Sequence, residues 1–146
     1  MRKSEKLLYK SIKKKSKFKT MLLRVFFGCG IPCTVEIGEN FKLIHNGLGV
    51  VIHPKTLIGN NVSVYQNVTI GGNAKIVDGV LTNVGAPVIE DDCVIFAGAC
   101  VLGPITIGKG TCIGANSVIT KDVPPNSLVY GNPAIVTAKK YDFNIN

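Results

Sequence analysis

The chain has 146 residues, 46% of them hydrophobic, which suits one domain with a buried core, and it holds no apolar run long enough to span a bilayer. Its net charge of +8 is confined to one end, since ten of the 17 Lys and Arg fall in residues 1–24 beside a single Glu. The rest is close to neutral, with few aromatics among the lysines and no binding motif, so nucleic acid is excluded as a partner. Five cysteines with no CxxC spacing argue against a disulfide framework and for a reducing cytoplasm.

Residues 1–30 read as a basic N-terminal helical arm. Leu7, Leu8, Ile12 and then Met21, Leu22, Leu23, Val25, Phe26 and Phe27 punctuate a lysine-rich background. The pattern predicts one or two helices, ended by Gly28 and Gly30. The start carries no secretion signal, because its apolar runs are short and no small-residue cleavage site follows. Two uses are open to the arm. It caps the first turn of the fold or a neighbouring subunit, or residues 1–24 touch an anionic membrane at its inner face.

Residues 31–138 form the folded domain. Val35 and Ile37-Gly38 open it, and Phe41 and Leu43 follow one repeat later. The spacing then slips: Leu43 to Ile52 is nine residues, and the segment between holds His45, Gly47 and Gly49. From Ile52 a period of six returns at Ile58, Val64 and Ile70. Residues 72–86 break it again as an excursion loop, of a length that is usually functional or disordered.

From Val88 to Ile119 the period is strict. Ile89, Ile95, Val101, Ile107, Ile113 and Ile119 stand six residues apart, each preceded by two positions by Pro87, Cys93, Ala99, Ile105, Thr111 or Ser117. A helix face recurs every three or four residues and a plain strand every two. A period of six with two inward positions spaced by two means a short strand, a corner, and a repeat, which is a β-solenoid of hexapeptides. Lys121 to Asn126 is a turn by composition, Leu128 to Tyr130 a short strand and Gly131 to Ala134 another turn. Residues from 135 read as polar, with 139–146 a C-terminal tail.

Two histidines carry the side chain suited to proton transfer near neutrality. His45 lies in the first register break, between Ile44 and a Gly-rich segment in which Gly47 and Gly49 let another group approach closely. His53 follows an inward aliphatic residue at a corner and reads as structural or exposed. His45 is the candidate catalytic residue.

Several runs carry a family resemblance. Ile44-His45-Asn46-Gly47-Leu48-Gly49-Val50-Val51-Ile52, Gln66-Asn67-Val68-Thr69-Ile70-Gly71-Gly72, Ile113-Gly114-Ala115-Asn116-Ser117, Lys121-Asp122-Val123-Pro124 and Gly131-Asn132-Pro133-Ala134 resemble the serine O-acetyltransferase group of hexapeptide-repeat acyltransferases, over roughly residues 30–138 and in that group's order. The resemblance implies an all-β left-handed parallel β-helix, a homotrimer with sites between subunits, and acetyl-CoA as donor. It implies His45 as the base that takes the acceptor hydroxyl's proton, typically worth about 10²–10⁴ in rate. It assigns Gly98, Ala99, Gly114, Ala115, Lys121, Asn132 and Pro133 to acetyl-CoA, with the N–H groups near Gly98 and Ala99 facing a developing oxyanion. No metal is implied.

The chain departs from that group in three ways. The aspartate that orients the base falls on Gly30, leaving Glu36, Glu39 or Asp78 as substitutes. The second active-site histidine falls on Ala86. The residues ahead of the solenoid are too few for the group's large helical domain. Shortened relatives of this kind resemble sugar O-acetyltransferases of surface-polysaccharide pathways, and Asp78, Thr82 and Asn83 in the excursion would then meet a hydroxyl-rich acceptor. The expected activity is acetyl transfer to a sugar hydroxyl, with serine as the alternative acceptor. A zinc carbonic anhydrase on such a solenoid needs three histidines and the chain has two,. A trimeric, membrane-surface scaffold without catalysis is the remaining reading.

Overall fold

The computed structural model describes residues 9, 10, 12 and 16–140. The expectations for residues 1–8, 11, 13–15 and 141–146, which cover much of the basic arm and most of the tail, lie outside the described residues. Helix α1 spans Lys17–Phe27, a run free of Gly and Pro. Gly28 ends it in the left-handed region (φ 61°), its N–H donating to the Arg24 carbonyl at 3.1 Å, as a helix C-terminus requires. Among the described residues no helix is long and apolar enough to cross a membrane.

The chain then winds through coils of three short strands. The first coil holds β1 (Glu36–Ile37), β2 (Lys42–Leu43) and β3 (Val51–Ile52). The second holds β4 (Leu57–Ile58), β5 (Ser63–Val64) and β6 (Thr69–Gly71). A hairpin, β7 (Ala74–Val77) and β8 (Val80–Asn83), leaves the solenoid before the third coil. That coil is β9 (Val88–Ile89), β10 (Val94–Ile95) and β11 (Cys100–Leu102), and the fourth is β12 (Thr106–Ile107), β13 (Cys112–Ile113) and β14 (Val118–Ile119). Strands β15 (Ser127–Tyr130) and β16 (Ile135–Ala138) finish the fold.

Corresponding strands stack in parallel, giving three faces ordered β1-β4-β9-β12, β2-β5-β10-β13-β15 and β3-β6-β11-β14. The register keeps like over like, with Ile37 on Ile58, Ile58 on Ile89, and Ile89 on Ile107. Each two-residue strand turns its second residue inward. Ile70, Ile95, Val101, Ile107 and Ile113 are wholly buried, and each such side chain contributes about 1.5–3 kcal/mol of transfer free energy. The residues two positions earlier, such as Val62, Cys93, Ala99 and Thr111, fill the remaining core. This is the two-inward pattern read from the sequence.

The corners are closed by residues that accept positive φ, among them Asn40, Asn61, Asn67, Asp92 and Asn116,. At the first corner they form a ladder: Asn40 Nδ2 donates to Asn61 Oδ1 at 3.1 Å and Asn61 Nδ2 to Asp92 Oδ1 at 2.9 Å. Two regions differ from expectation. The excursion is an ordered antiparallel hairpin, turned by Asp78 (φ 50°) and Gly79 (φ 78°), which is the two-residue turn that matches strand twist. Ile135–Ala138, read as part of a polar stretch, instead pairs antiparallel with β15 and closes the end of the second face.

Candidate functional site

The extra residues of the first register break form a short 3₁₀ turn, Ile44–Gly47, at the corner between the second and third faces. Three successive residues take positive φ: His45 (54°), Asn46 (60°) and Gly47 (70°). Such a run is costly for L-residues and least so for Asn, His and Gly. A side chain at Gly47 would meet Leu43 at 3.1 Å, so glycine is needed there on two counts. The turn pushes the His45 imidazole out of the coil, where it is exposed. Its ring stands edge-on to Tyr65, 6.1 Å between centroids, and Tyr65 leans on Phe96 at 4.9 Å. Among the described residues no hydrogen-bond partner of the imidazole occurs, and neither Glu36, Glu39 nor Asp78 orients it. Glu36 lies on the first face, Glu39 accepts from Tyr9 Oη at 2.8 Å at the first corner, and Asp78 is at the hairpin tip.

Tyr65 and Phe96 were not singled out from the sequence. The signal was present: each follows an inward aliphatic residue, Val64 or Ile95, as Gly114 follows Ile113. The register sets Ile44, Tyr65, Phe96, Gly114 and Tyr130 in one corner column, with His45 and Gly131 one residue beyond it. Links up this corner include Asn67 N–H to Leu48 O at 2.8 Å, Asn116 N–H to Ala97 O at 2.9 Å and Val118 N–H to Gly131 O at 3.1 Å.

The structure thus gathers Gly98, Gly114, Ala115, Asn132 and Pro133 on the same corner as His45. Two expectations change. Ala99 is wholly buried and its side chain belongs to the core. The N–H groups of Gly98 and Ala99 already donate to Gln66 O and Phe96 O, at 3.1 and 3.3 Å, so they are not free to face an oxyanion. The unpaired donors lie beside them: the N–H groups of Ala97 and Ala115 bond to no described residue. They sit one coil apart, because Val94 pairs with Cys112. Gly98 keeps the corner tight, since a Cβ there would strike the Asn116 side chain.

Lys121, Thr82, Asn83 and Asp78 belong to another corner, between the third and first faces. Lys121 is exposed there. The hairpin base is held by Asn83, whose Nδ2 lies 2.9 Å from His53 Nε2 and whose Oδ1 accepts from Gly85 N–H at 3.0 Å. His53 Nδ1 accepts from Lys55 N–H at 3.2 Å, so this half-buried histidine ties the excursion to the coil below it. Within one copy of the chain, the excursion and His45 occupy different corners.

Burial sets the chemistry of the thiols. Desolvation pushes Cys93 up to about 11, and it raises Cys29 and Cys112 also. These are packing residues with no thiolate at neutral pH. Among the described residues no group of three His, Cys, Asp or Glu is placed to hold a metal ion.

Residues 86–121 match the family described as bacterial transferase hexapeptide (six repeats). The serine acetyltransferase of Bacillus licheniformis is 44% identical over 120 residues, which are 82% of this chain and 53% of that protein. A crystal structure of the Neisseria gonorrhoeae serine acetyltransferase in complex with serine superposes with a TM-score of 0.72 at 34% identity, covering 83% of this chain and 47% of that one. A serine acetyltransferase in complex with CoA gives 0.71 at 31% identity, over 82% and 46%. The chain spans about half the length of the curated relatives it matches.

Proposed function

The chain is a hexapeptide-repeat protein with the left-handed parallel β-helix fold and serine acetyltransferases as homologues, and from that premise we propose that it is an acetyl-CoA-dependent O-acetyltransferase with His45 as general base. The observation that carries the reading is the His45 turn. Three residues are held at positive φ to project an imidazole from an otherwise regular corner, and backbone strain of this kind persists where a function maintains it.

Bound acetyl-CoA supplies an acyl thioester. The chain's own residues do the rest. An imidazole nitrogen of His45 takes the proton from the acceptor hydroxyl as its oxygen attacks the thioester carbonyl. The C–S bond breaks, and the imidazolium returns the proton to the departing thiolate. The free N–H groups of Ala97 and Ala115 are suited to amide carbonyls of an extended ligand lying along the corner, and small Gly98 and Gly114 allow its approach. A homotrimer is part of the proposal. The exposed apolar hairpin, with Ile76 76% and Leu81 72% accessible, supports an assembly that covers it and brings a partner's excursion toward His45.

Serine is the acceptor favoured by the relatives. A sugar hydroxyl is the second reading, supported by Gly30 and Ala86 in place of an aspartate and a histidine and by the exposed Thr82 and Asn83 in β8 of the hairpin. A panel of hydroxyl acceptors with acetyl-CoA, read by CoA release and mass of the product, tests both. O-Acetylserine formation at a rate well above thioester hydrolysis is expected. Acetylated sugar with inert serine selects the second reading. No acetylated product from any acceptor refutes the activity.

A further inference from the structure

Helix α1 uses only one of its sides to close the solenoid. Leu23 is buried in the core and Phe27 packs against it, which is the capping that an end coil needs. The opposite side holds Phe18 (65% exposed), Met21 (53%), Val25 (71%) and Phe26 (74%), the i, i+3, i+7 and i+8 positions of a single helical stripe. Large apolar side chains gathered in this way differ from scattered surface residues and mark an interaction site. Lys17 and Arg24, one heptad apart, border the stripe and are exposed. The helix sequence holds no Asp or Glu, so its own residues do not offset that charge.

Charge decides what covers the stripe. Residues 1–24 hold ten Lys and Arg beside one Glu. A second copy meeting this face across a two-fold axis would set like charge against like. The partner that accepts both an apolar stripe and a dense positive charge is an anionic bilayer. Its acyl boundary buries the apolar side chains while its headgroups meet the cations. Among the described residues no helix is long and apolar enough to cross, so α1 would lie in the plane of the interface. The stripe ends beside the His45 turn, since the carbonyl of Gly28, the cap of α1, accepts from Gly49 N–H at 3.1 Å.

We propose that the outer face of α1 is a membrane-docking surface, which holds the chain and its His45 turn against anionic lipid. The proposal goes beyond the acyl-transfer reading and does not depend on it.

Flotation of the full chain with phosphatidylcholine vesicles, with and without phosphatidylserine, tests it. Binding should be about tenfold or more tighter where phosphatidylserine is present, and should fall steeply as salt is raised. Each cation near such a surface adds about fivefold, so Lys17→Gln with Arg24→Gln should weaken binding about tenfold or more. Phe18→Ser with Val25→Ser and Phe26→Ser keeps every charge and should weaken it by about a hundredfold. These side chains are exposed, so melting temperature and acetyl transfer to a soluble acceptor should stay at the wild-type level. The chain has no Trp, so Phe26→Trp supplies a single emission centre. Its emission should shift to the blue on anionic vesicles and stay unchanged on neutral ones. No binding to anionic vesicles, or an unshifted emission, would overturn the docking surface. Binding retained by the triple Ser variant would show attraction by charge alone and would overturn the role of the stripe. Self-association that the triple variant abolishes, without vesicle binding, would assign the stripe to a second copy and overturn the proposal.

Discussion

Replacing His45 is the perturbation most directly tied to the proposed chemistry. Asparagine is the informative substitute. It tolerates positive φ, as neighbouring Asn46 (φ 60°) does, and so preserves the turn while removing the proton acceptor. General-base catalysis contributes about 10²–10⁴ in rate. The structure narrows this range, because no described carboxylate bonds to the imidazole and only the Tyr65 ring edge steadies it, at 6.1 Å. A base so loosely oriented within its own copy should supply the lower part, about 10²–10³ in kcat, or roughly 3–4 kcal/mol of barrier. The assay is CoA release from acetyl-CoA with saturating serine, followed by mass detection so that protein thiols do not contribute. His45→Asn should keep the wild-type melting temperature within about 2 °C, since losing one exposed aromatic edge contact matters little. Its KM for acetyl-CoA should stay within about threefold, as the base does not hold the donor. A variant retaining more than a third of wild-type kcat would refute the general-base role.

Two further outcomes follow from packing and burial. Gly59→Ala would place a Cβ 2.7 Å from Asp91 N and 2.9 Å from Glu90 C in the next coil; forcing the coils apart should lower stability by about 2–3 kcal/mol, or roughly 6–12 °C in melting temperature. Gly79→Ala is the control, since nothing lies within 4 Å of the added atom and only its φ of 78° is strained; equal losses in the two variants would sink the argument from close approach. For Cys93, burial raises the folded pKa from 9.0 to about 11, so the folded state keeps a proton that the unfolded chain releases. Its contribution to stability is full below pH 9 and falls away between pH 9 and 11, by order 2–3 kcal/mol at the upper end. Denaturant midpoints measured across that window should drop more for wild type than for Cys93→Ala, and parallel curves would contradict it.

The strict period of six made the solenoid legible because each two-residue strand must place one side chain inside, and Ile95, Val101 and Ile107 could satisfy that at no other spacing. The turn that holds His45 was legible for the opposite reason: a histidine followed by Gly47 and Gly49 interrupts that period. The hairpin was harder to see. Asp78-Gly79 is a recognised turn pair, but Lys75, Ile76, Val80 and Leu81 are all exposed, so no alternation of burial marks the strands beside it. The loss of Ala99 from the ligand-facing set, and the commitment of the Gly98 N–H, depend on which amide each corner spends in its own turn. That is fixed by backbone geometry common to many residue choices, so composition at the corner does not reveal it. Tyr65 and Phe96 became visible only when the coils were stacked, since residues 20 and 51 positions beyond His45 come to its corner through parallel pairing alone.

The in-register ladder frees the chain's length from its architecture. Strand β4 begins 21 residues after β1 and β9 begins 31 residues after β4, yet β9 and β12 are 18 apart and all four lie in register. Position on a face is set by the coil beneath, not by the number of residues spent at a corner. Added length brings only a slowly growing loop-closure entropy, and the bond from Val84 N–H to Asn73 O at 2.9 Å closes the excursion at its base. Each corner is thus an interchangeable socket. An evolving or engineered chain can exchange the hairpin for another segment without disturbing the turn that carries His45, because the two occupy different corners.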